Sequence, residues 1–279
     1  MMSDVKILLG DVREKLSELP DGSVRTVVTS PPYWGLRDYG EDDQLGAEDT
    51  PELYVQNLVQ IFKEVKRVLA DDGTVWLNIG DSYVGTGNKG DYRDPKYGEG
   101  RNGQKIALNN KVEGLKSKDL IGIPWKVAFA LQADGWYLRQ DIIWSKPNAM
   151  PEPVRDRCTR SHEYVFLLSK SRIYFYDNDA VKEPTTDGSS YRNKRDVWSI
   201  NTQPFKGAHF AVFPEALVEP CILAGSEEGD TVLDPFCGSG TVGVVSNRFN
   251  RNFIGVELNE DYIKIAEERI SSSKLDKPL

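Results

Sequence analysis

Cysteine, histidine and long apolar runs are all scarce in this sequence of 279 residues. The three cysteines are widely separated and odd in number, which argues against a disulfide framework and gives no paired metal spacing. His162 and His209 have no cysteine or acidic residue at ligand spacing, so we predict no metal site. No apolar run approaches the roughly twenty residues of a membrane span, and no charged and apolar leader is present. The chain is therefore expected to stay in the cytoplasm.

A strong charge of one sign is also missing from the centre of the chain. The formal net charge is -8, but residues 1–80 sum to -7, residues 81–207 to +5 and residues 208–279 to -6. A weakly basic centre is compatible with a polyanionic partner and equally with an ordinary mixed surface. Charge alone does not choose between them.

Helix and strand patterns alternate along most of the chain. Residues 5–34 predict strand, helix and strand, and residues 51–79 predict a helix and a strand. A strand pair is predicted at 162–170 and 172–177, and the C-terminal residues predict two further strands, each followed by a helix. This alternation favours a mostly parallel sheet with helices on both faces.

Two stretches lack periodicity within what we predict to be a single domain, residues 1–279. Residues 84–118 contain seven glycines and few apolar side chains, which predicts a loop insertion. Residues 178–207 are polar and basic.

A glycine motif lies between a predicted strand and helix near the C-terminus. Gly238, Gly240 and Gly243 match G-x-G-x-x-G, and Glu257 ends the next strand. Glycines let a backbone approach a ligand, and such a carboxylate can bind ribose hydroxyls, so we predict an adenosine-like cofactor. Asp234, aimed into the crevice, would repel a pyrophosphate and attract a cationic amino group. That favours S-adenosylmethionine over a nicotinamide dinucleotide, while a tight turn without ligand remains an alternative for the glycines alone.

The order of the elements is unusual for a nucleotide-binding sheet. Too little chain follows the glycine motif to complete a sheet, so the other strands must come from the N-terminal half. This permutation would bring TSPPYW, residues 29–34, to the carboxyl end of a strand near the same crevice.

The prolines in TSPPYW predict a stiff turn that is rich in acceptors. The Ser30 hydroxyl and the Pro31 carbonyl can accept both hydrogens of a nucleobase amino group, so that the nitrogen lone pair faces a methyl donor. Tyr33, with Trp34 as a second candidate, would stack on a base flipped out of the duplex. A strand-ending turn over packed aromatic side chains is the alternative for this motif alone.

The two motifs together resemble the β group of DNA amino methyltransferases, in which S/D-P-P-Y precedes D-P-F-x-G-S-G-T. The resemblance covers most of the chain apart from 84–118 and 178–207. It implies a Rossmann-like S-adenosylmethionine-dependent methyltransferase fold with circularly permuted motif order. Target recognition is expected in the unmatched stretches, with 178–207 as the recognition segment.

The resemblance also implies roles for individual residues. The catalytic residues would be Ser30, Pro31, Pro32 and Tyr33. The cofactor-binding residues would be Asp11, Phe213, Pro214, Asp234, Phe236, Gly238, Ser239, Gly240, Thr241 and Glu257. Glu257 would hold the ribose and Asp11 would approach the adenine amino group. No general base is expected, because the methylated amine can lose its proton to water or to a backbone acceptor.

The target base is predicted from Ser30. In the family a serine before the prolines is associated mainly with cytosine N4 and an aspartate mainly with adenine N6, so cytosine is favoured. Adenine N6, RNA or a protein glutamine as substrate, an idle DNA-binding module and a dehydrogenase remain alternatives. Trp144 and Lys146 fall where the family places residues near the base, although a tryptophan ending a strand is also typical of a core.

Double-stranded DNA is the expected partner, with a homodimer and a cognate restriction enzyme as further candidates. Six basic residues are candidates for phosphate contacts, with a solvated surface as the alternative. They are Arg155, Arg157, Arg160, Arg192, Lys194 and Arg195.

Overall fold

A computed structural model of the chain describes residues 3–35, 44–85, 112–203 and 213–273. The strands in these ranges are β1 (Val5–Leu9), β2 (Val24–Thr29), β3 (Leu69–Ile79), β4 (Tyr137–Ser145), β5 (His162–Ser169), β6 (Glu183–Pro184), β7 (Tyr191–Arg192), β8 (Val197–Ser199), β9 (Thr231–Asp234) and β10 (Asn252–Glu257). The helices are α1 (Val12–Ser17), α2 (Pro51–Val68), α3 (Ile123–Ala133), α4 (Glu215–Gly225), α5 (Thr241–Arg248) and α6 (Glu260–Ser272).

The main sheet has the strand order β1-β10-β9-β2-β3-β5-β4-β8. Strands β1, β10, β9, β2 and β3 are parallel, and β5 is antiparallel to both β3 and β4. The C-terminal strands β9 and β10 thus lie between the N-terminal β1 and β2, which confirms the permuted order. The chain leaves β9 toward β10 and leaves β2 toward β3, so a crevice opens at their carboxyl ends, where the connections diverge.

Helices cover both faces of this sheet, as predicted. Val27 and Val75 face the layer of α1, α2 and α3. The next residues, Val28 and Trp76, face α4, α5 and α6, because successive side chains of a strand point to opposite faces. The longest helix, α2, begins at a Thr50 cap whose Oγ1 accepts a hydrogen bond from the Leu53 N–H at 3.1 Å.

One predicted strand pair is wrong. Residues 162–169 form β5, but residues 172–177 form no strand. Strand β5 is paired on both sides, with β3 and with β4, so no edge is left for a hairpin partner. Ile173 is instead 76% exposed, and the Phe175 N–H donates to the Asp72 carbonyl at 2.9 Å.

Backbone hydrogen bonds hold the described parts of both irregular stretches. At the described ends of 84–118, the Val84 N–H donates to the Asp119 carbonyl at 2.9 Å and the Lys118 N–H to the Val84 carbonyl at 3.0 Å. The chain therefore leaves and returns at one place; residues 86–111 lie outside the described residues. Residues 178–203 contain the β6–β7 hairpin and the edge strand β8, which the sequence did not predict, and 204–207 are not described. No described helix is both long and apolar enough to span a membrane.

Candidate active site

The two sequence motifs meet at the ends of neighbouring strands. Thr29 ends β2 immediately before Ser30, and Asp234 ends β9 immediately before the glycine turn. The Thr29 hydroxyl donates to the Asp234 carboxylate at 2.7 Å, and both side chains are buried. This hydrogen bond therefore connects the proline turn, which follows Thr29, to the glycine turn, which follows Asp234.

Both turns open into one cleft of about 790 Å³. The cleft is lined by most of the predicted site residues: Asp11, Ser30, Pro31, Pro32, Tyr33, Phe213, Phe236, Gly238, Ser239, Thr241 and Glu257. Three predicted cofactor residues, Pro214, Asp234 and Gly240, lie outside its lining. The permuted sheet thus brings together residues that are more than 200 positions apart in the sequence.

The prediction that the Asp234 carboxylate points into the crevice is wrong. The side chain is 1% exposed and accepts the Thr29 hydroxyl and, at 3.1 Å, the Phe236 N–H. Burial raises the pKa of Asp234 to about 7, although these two hydrogen bonds favour the charged form. Asp234 therefore holds the two turns together and does not line the cleft.

The glycine turn is set by close packing. Gly240 has a φ of 78°, and a Cβ there would lie 2.7 Å from the Ala266 Cβ. A Cβ at Gly243 would clash in the same way with the Ile270 Cδ1. These two glycines therefore allow α6 to pack against α5, and Pro214 is likewise buried, as the N-terminal cap of α4. These contacts explain why Gly240 and Pro214 are absent from the cleft lining.

Glu257 is fixed by backbone groups at the end of β10. One carboxylate oxygen accepts the Gly238 N–H at 2.8 Å and the other accepts the Asn259 N–H at 2.9 Å. Burial raises the pKa of Glu257, and these backbone hydrogen bonds oppose that shift. The carboxylate is thereby held at one position in the cleft wall.

Asp11 lines the cleft at the start of α1, beside Glu257, because β1 pairs directly with β10. It caps this helix by accepting the Arg13 N–H at 2.8 Å. The Arg13 guanidinium also donates to both carboxylate oxygens, at 2.8 and 2.7 Å. The side-chain hydrogen bond from Arg13 is the largest cause that lowers the pKa of Asp11, and the backbone hydrogen bond from Arg13 lowers it further. Asp11 is therefore a charged acceptor in the cleft wall.

The proline turn is braced by the helix behind it. The Tyr54 hydroxyl of α2 donates to the Pro32 carbonyl at 2.9 Å. Trp34 is only 2% exposed and its indole N–H donates to the Glu48 carbonyl at 2.8 Å. Trp34 is therefore a core residue, and its prediction as a second stacking side chain is wrong. Tyr33 does line the cleft.

Sequence reasoning missed a polar network on the floor of the cleft. The Tyr33 hydroxyl donates to Glu163 at 2.8 Å, and the Asn78 amide donates to the same carboxylate oxygen at 3.2 Å. The Lys146 ammonium forms an ion pair with the other oxygen of Glu163 and lies 4.2 Å from the centre of the Trp144 ring. Glu163 is the second residue of β5, which is antiparallel to β3 and therefore begins at the edge of the sheet where β3 ends. Its position at the start of this predicted strand was the only sequence signal for its place in the cleft.

Several of the basic candidates for phosphate contacts already contact other side chains of the protein. Arg157 and Arg160 lie against the Tyr83 ring, with their guanidinium carbons 4.1 and 4.9 Å from its centre, and Arg160 lines the cleft. Arg192 and Arg195 both contact one oxygen of Glu183.

Within the described residues no cluster of potential metal ligands occurs, and His209 lies outside them.

Solved structures share this fold. The protein TTHA0409 of Thermus thermophilus, complexed with S-adenosyl-L-methionine, superposes with a TM-score of 0.64 at 25% identity, covering 96% of this chain and 95% of that chain. PvuII DNA methyltransferase, described as cytosine-N4-specific, superposes with a TM-score of 0.71 at 22% identity, covering 98% and 92%. At this identity the second likeness supports the fold alone.

Sequence relatives give the family. Type II methyltransferase M.Cfr9I of Citrobacter freundii is 57% identical over 261 residues, covering 94% of this chain and 86% of that protein. Type II methyltransferase M.SmaI of Serratia marcescens is 55% identical over 267 residues, covering 95% and 90%. A family model described as DNA methylase, for N6 and N4 methyltransferases, matches residues 24–268. The chain therefore belongs to the DNA methylase family of N6 and N4 amino methyltransferases.

Proposed function

We propose that the protein transfers a methyl group from S-adenosylmethionine to the N4 amino group of a flipped cytosine in double-stranded DNA, at a specific site. The observation that carries this proposal is the single cleft onto which both motifs open, joined by the Thr29–Asp234 hydrogen bond. A methyl donor held at one turn and an amino group held at the other can meet in line in such a cleft.

The cofactor side of the cleft fits S-adenosylmethionine. The cofactor supplies an electrophilic methyl group on a sulfonium. Glu257 would accept the ribose hydroxyls, Asp11 would accept from the adenine amino group, and Phe213 and Phe236 would contact apolar parts of the molecule. Gly238, Ser239 and Thr241 would complete the contacts at the glycine turn. The complex of the Thermus protein with this cofactor supports the assignment.

The base side of the cleft fits an exocyclic amino group. An amino group on a base ring is a poor nucleophile because its lone pair is delocalised. The Ser30 hydroxyl and the Pro31 carbonyl would accept its two hydrogens and direct the lone pair toward the methyl group, while Pro32 keeps the turn rigid. Tyr33 would contact the face of the base, which has to leave the duplex to enter the cleft.

Cytosine is favoured over adenine by Ser30. The runner-up is adenine N6.

DNA phosphates would be bound by the six basic candidates, of which Arg160 lines the cleft. The stretches 84–118 and 178–207 would recognise the target sequence, as parts of one methyltransferase domain spanning 1–279. The type II relatives support a cognate restriction enzyme, and we place the protein in the cytoplasm. Light scattering at working concentration tests whether it is a homodimer.

Methyl-labelled cofactor and duplex DNA test this proposal directly. After incubation the DNA is hydrolysed to nucleosides, which separates N4-methylcytosine from N6-methyladenine. Label in the cytosine product is expected. Label in N6-methyladenine would show that adenine, not cytosine, is the target base. Label in neither nucleoside would reject the proposed DNA methyltransferase activity. RNA and a glutamine-containing protein serve as competitor substrates in the same assay.

A further inference from the structure

The Ser30 hydroxyl can serve the reaction only if its own hydrogen points away from the target amino group. A hydroxyl carries one hydrogen and two lone pairs and rotates freely unless a neighbour holds it. Ser30 accepts from the amine when its hydrogen is engaged elsewhere; otherwise that hydrogen competes for the nitrogen lone pair that must attack the methyl group. The residue that holds the Ser30 hydrogen therefore matters to the rate.

The donors and acceptors on the floor of the cleft determine where the Ser30 hydrogen points. The Glu163 carboxylate only accepts, so the Tyr33 hydroxyl donates its single hydrogen to Glu163, at 2.8 Å. The Ser30 and Tyr33 oxygens are 3.4 Å apart, and in this contact Ser30 has to be the donor. The contact is long, as hydrogen bonds of an active site often are before substrate binds. The chain of donors runs from Ser30 through Tyr33 to Glu163.

The neighbours of Glu163 reinforce this direction. Lys146 forms an ion pair with one carboxylate oxygen, and each of the two side chains is 17% exposed. The Asn78 amide donates to the other oxygen and, at 3.0 Å, to the Tyr164 carbonyl, which fixes the orientation of its amide group. Glu163 is thus surrounded by donors. The Asn78 side-chain oxygen is a second, more distant acceptor for the Tyr33 hydroxyl, at 3.3 Å, so neither Glu163 nor Asn78 offers Tyr33 a donor that would reverse the chain.

We propose that Glu163 is a positioning residue for methyl transfer, which acts through Tyr33 to orient the Ser30 hydroxyl so that its lone pairs face the target amine. This inference rests on the proposed function. It also gives the Tyr33 hydroxyl a role that is separate from the contact of its ring with the base.

Two variants make this proposal testable, because they disturb the chain differently. In Glu163→Gln the new amide oxygen turns to the Lys146 ammonium, so the amide N–H₂ faces Tyr33 in place of its nearer acceptor. The Tyr33 hydrogen then has only the more distant Asn78 oxygen, at 3.3 Å, or the Ser30 hydroxyl as acceptor, and donation to Ser30 reverses the chain. Tyr33→Phe only frees the Ser30 hydroxyl. We expect the single-turnover rate of methyl transfer to fall about 100-fold in Glu163→Gln and about tenfold in Tyr33→Phe. The double variant should return to the level of Tyr33→Phe, because no hydroxyl is left to transmit the reversal.

The readouts separate orientation from general damage. Cofactor affinity, measured by calorimetry, should stay within about twofold of the wild type in all variants. Glu52→Gln is the matched control, since it neutralises a glutamate paired with Lys126 outside the cleft, and its rate should be unchanged. A wild-type rate in Glu163→Gln overturns the proposal, and so does a double variant slower than either single one. If Glu163→Gln fails to fold, an unchanged rate in Tyr33→Phe overturns it.

Wild-type transfer to DNA is measured first in this experiment. Absence of any transfer rejects the proposed function itself. Normal wild-type transfer with unaffected Glu163→Gln and Tyr33→Phe variants rejects only the positioning role.

Discussion

The two sides of the cleft hold their polar groups in different ways. On the side proposed for the cofactor, the Glu257 carboxylate is fixed by backbone N–H groups of Gly238 and Asn259, at most 19 positions away in the sequence. On the side proposed for the target base, Tyr33 is fixed by the side chain of Glu163, which is 130 positions away. The groups that fix Glu257 are therefore close to it in the sequence, whereas the group that fixes Tyr33 comes from a distant strand. We expect substitutions on the two sides to separate cofactor binding from methyl transfer.

The largest effect is expected from Ser30→Ala on the base side. Removal of the hydroxyl acceptor should lower single-turnover methyl transfer about 1000-fold, the scale seen when one polar contact to the reacting group is lost. Calorimetry should show an unchanged affinity for S-adenosylmethionine. A comparable loss of cofactor affinity would contradict the separation of the two sides.

The next effect concerns Asp234, which links the sides. Its pKa rises from 3.8 to about 7 on folding, so between these pH values the folded state binds more protons than the unfolded state. Stability is then lost as pH rises through this window, by about 2 kcal/mol between pH 5 and pH 7. Asp234→Asn keeps the accepting oxygen for Thr29 and Phe236 but cannot ionise.

Urea unfolding of both proteins from pH 4 to pH 8 measures this linkage. The stability advantage of Asp234→Asn over the wild type should grow as the pH rises and level off above about pH 7. Parallel curves for the two proteins would show that Asp234 does not titrate in this window.

A smaller effect is expected from Glu257→Gln on the cofactor side. One backbone N–H loses its acceptor, and the ribose loses a charged partner, so affinity for S-adenosylmethionine should weaken about tenfold. Transfer at saturating cofactor should stay close to wild type. Glu260→Gln, an exposed glutamate at the start of α6, is the matched control. A loss of transfer at saturation would mean that Glu257 also serves the base side.

The smallest effect is expected from Tyr54→Phe, behind the proline turn. It removes one hydrogen bond to the Pro32 carbonyl without changing packing volume, which should cost about 1 kcal/mol of unfolding free energy. Thermal melting measures this cost. Methyl transfer should fall less than in Tyr33→Phe, because the prolines keep the turn rigid by themselves.

Several features of this molecule follow from local sequence. The periodicity of the helices, the glycine turn, and the permuted order of the two motifs were all predicted, because each is set by neighbouring residues or by chain length. The strand predicted at 172–177 failed for a nonlocal reason, since β5 already had a partner on each side. The edge strand β8 was missed because its three residues, Val197–Ser199, are too few to show a strand period, and its pairing with β4 is a nonlocal contact.

The sequence by itself determined that a proline turn and a glycine turn end strands of one permuted sheet, because backbone restrictions and apolar periodicity are local properties. Only the tertiary structure decided where the side chains point. Asp234 turns away from the cleft to Thr29, Trp34 enters the core, and Glu163 gathers Tyr33, Asn78 and Lys146. The direction of each side chain depends on which donors and acceptors the packed sheet brings within about 3 Å of one another. The separation of two residues along the sequence does not show whether the fold brings them together.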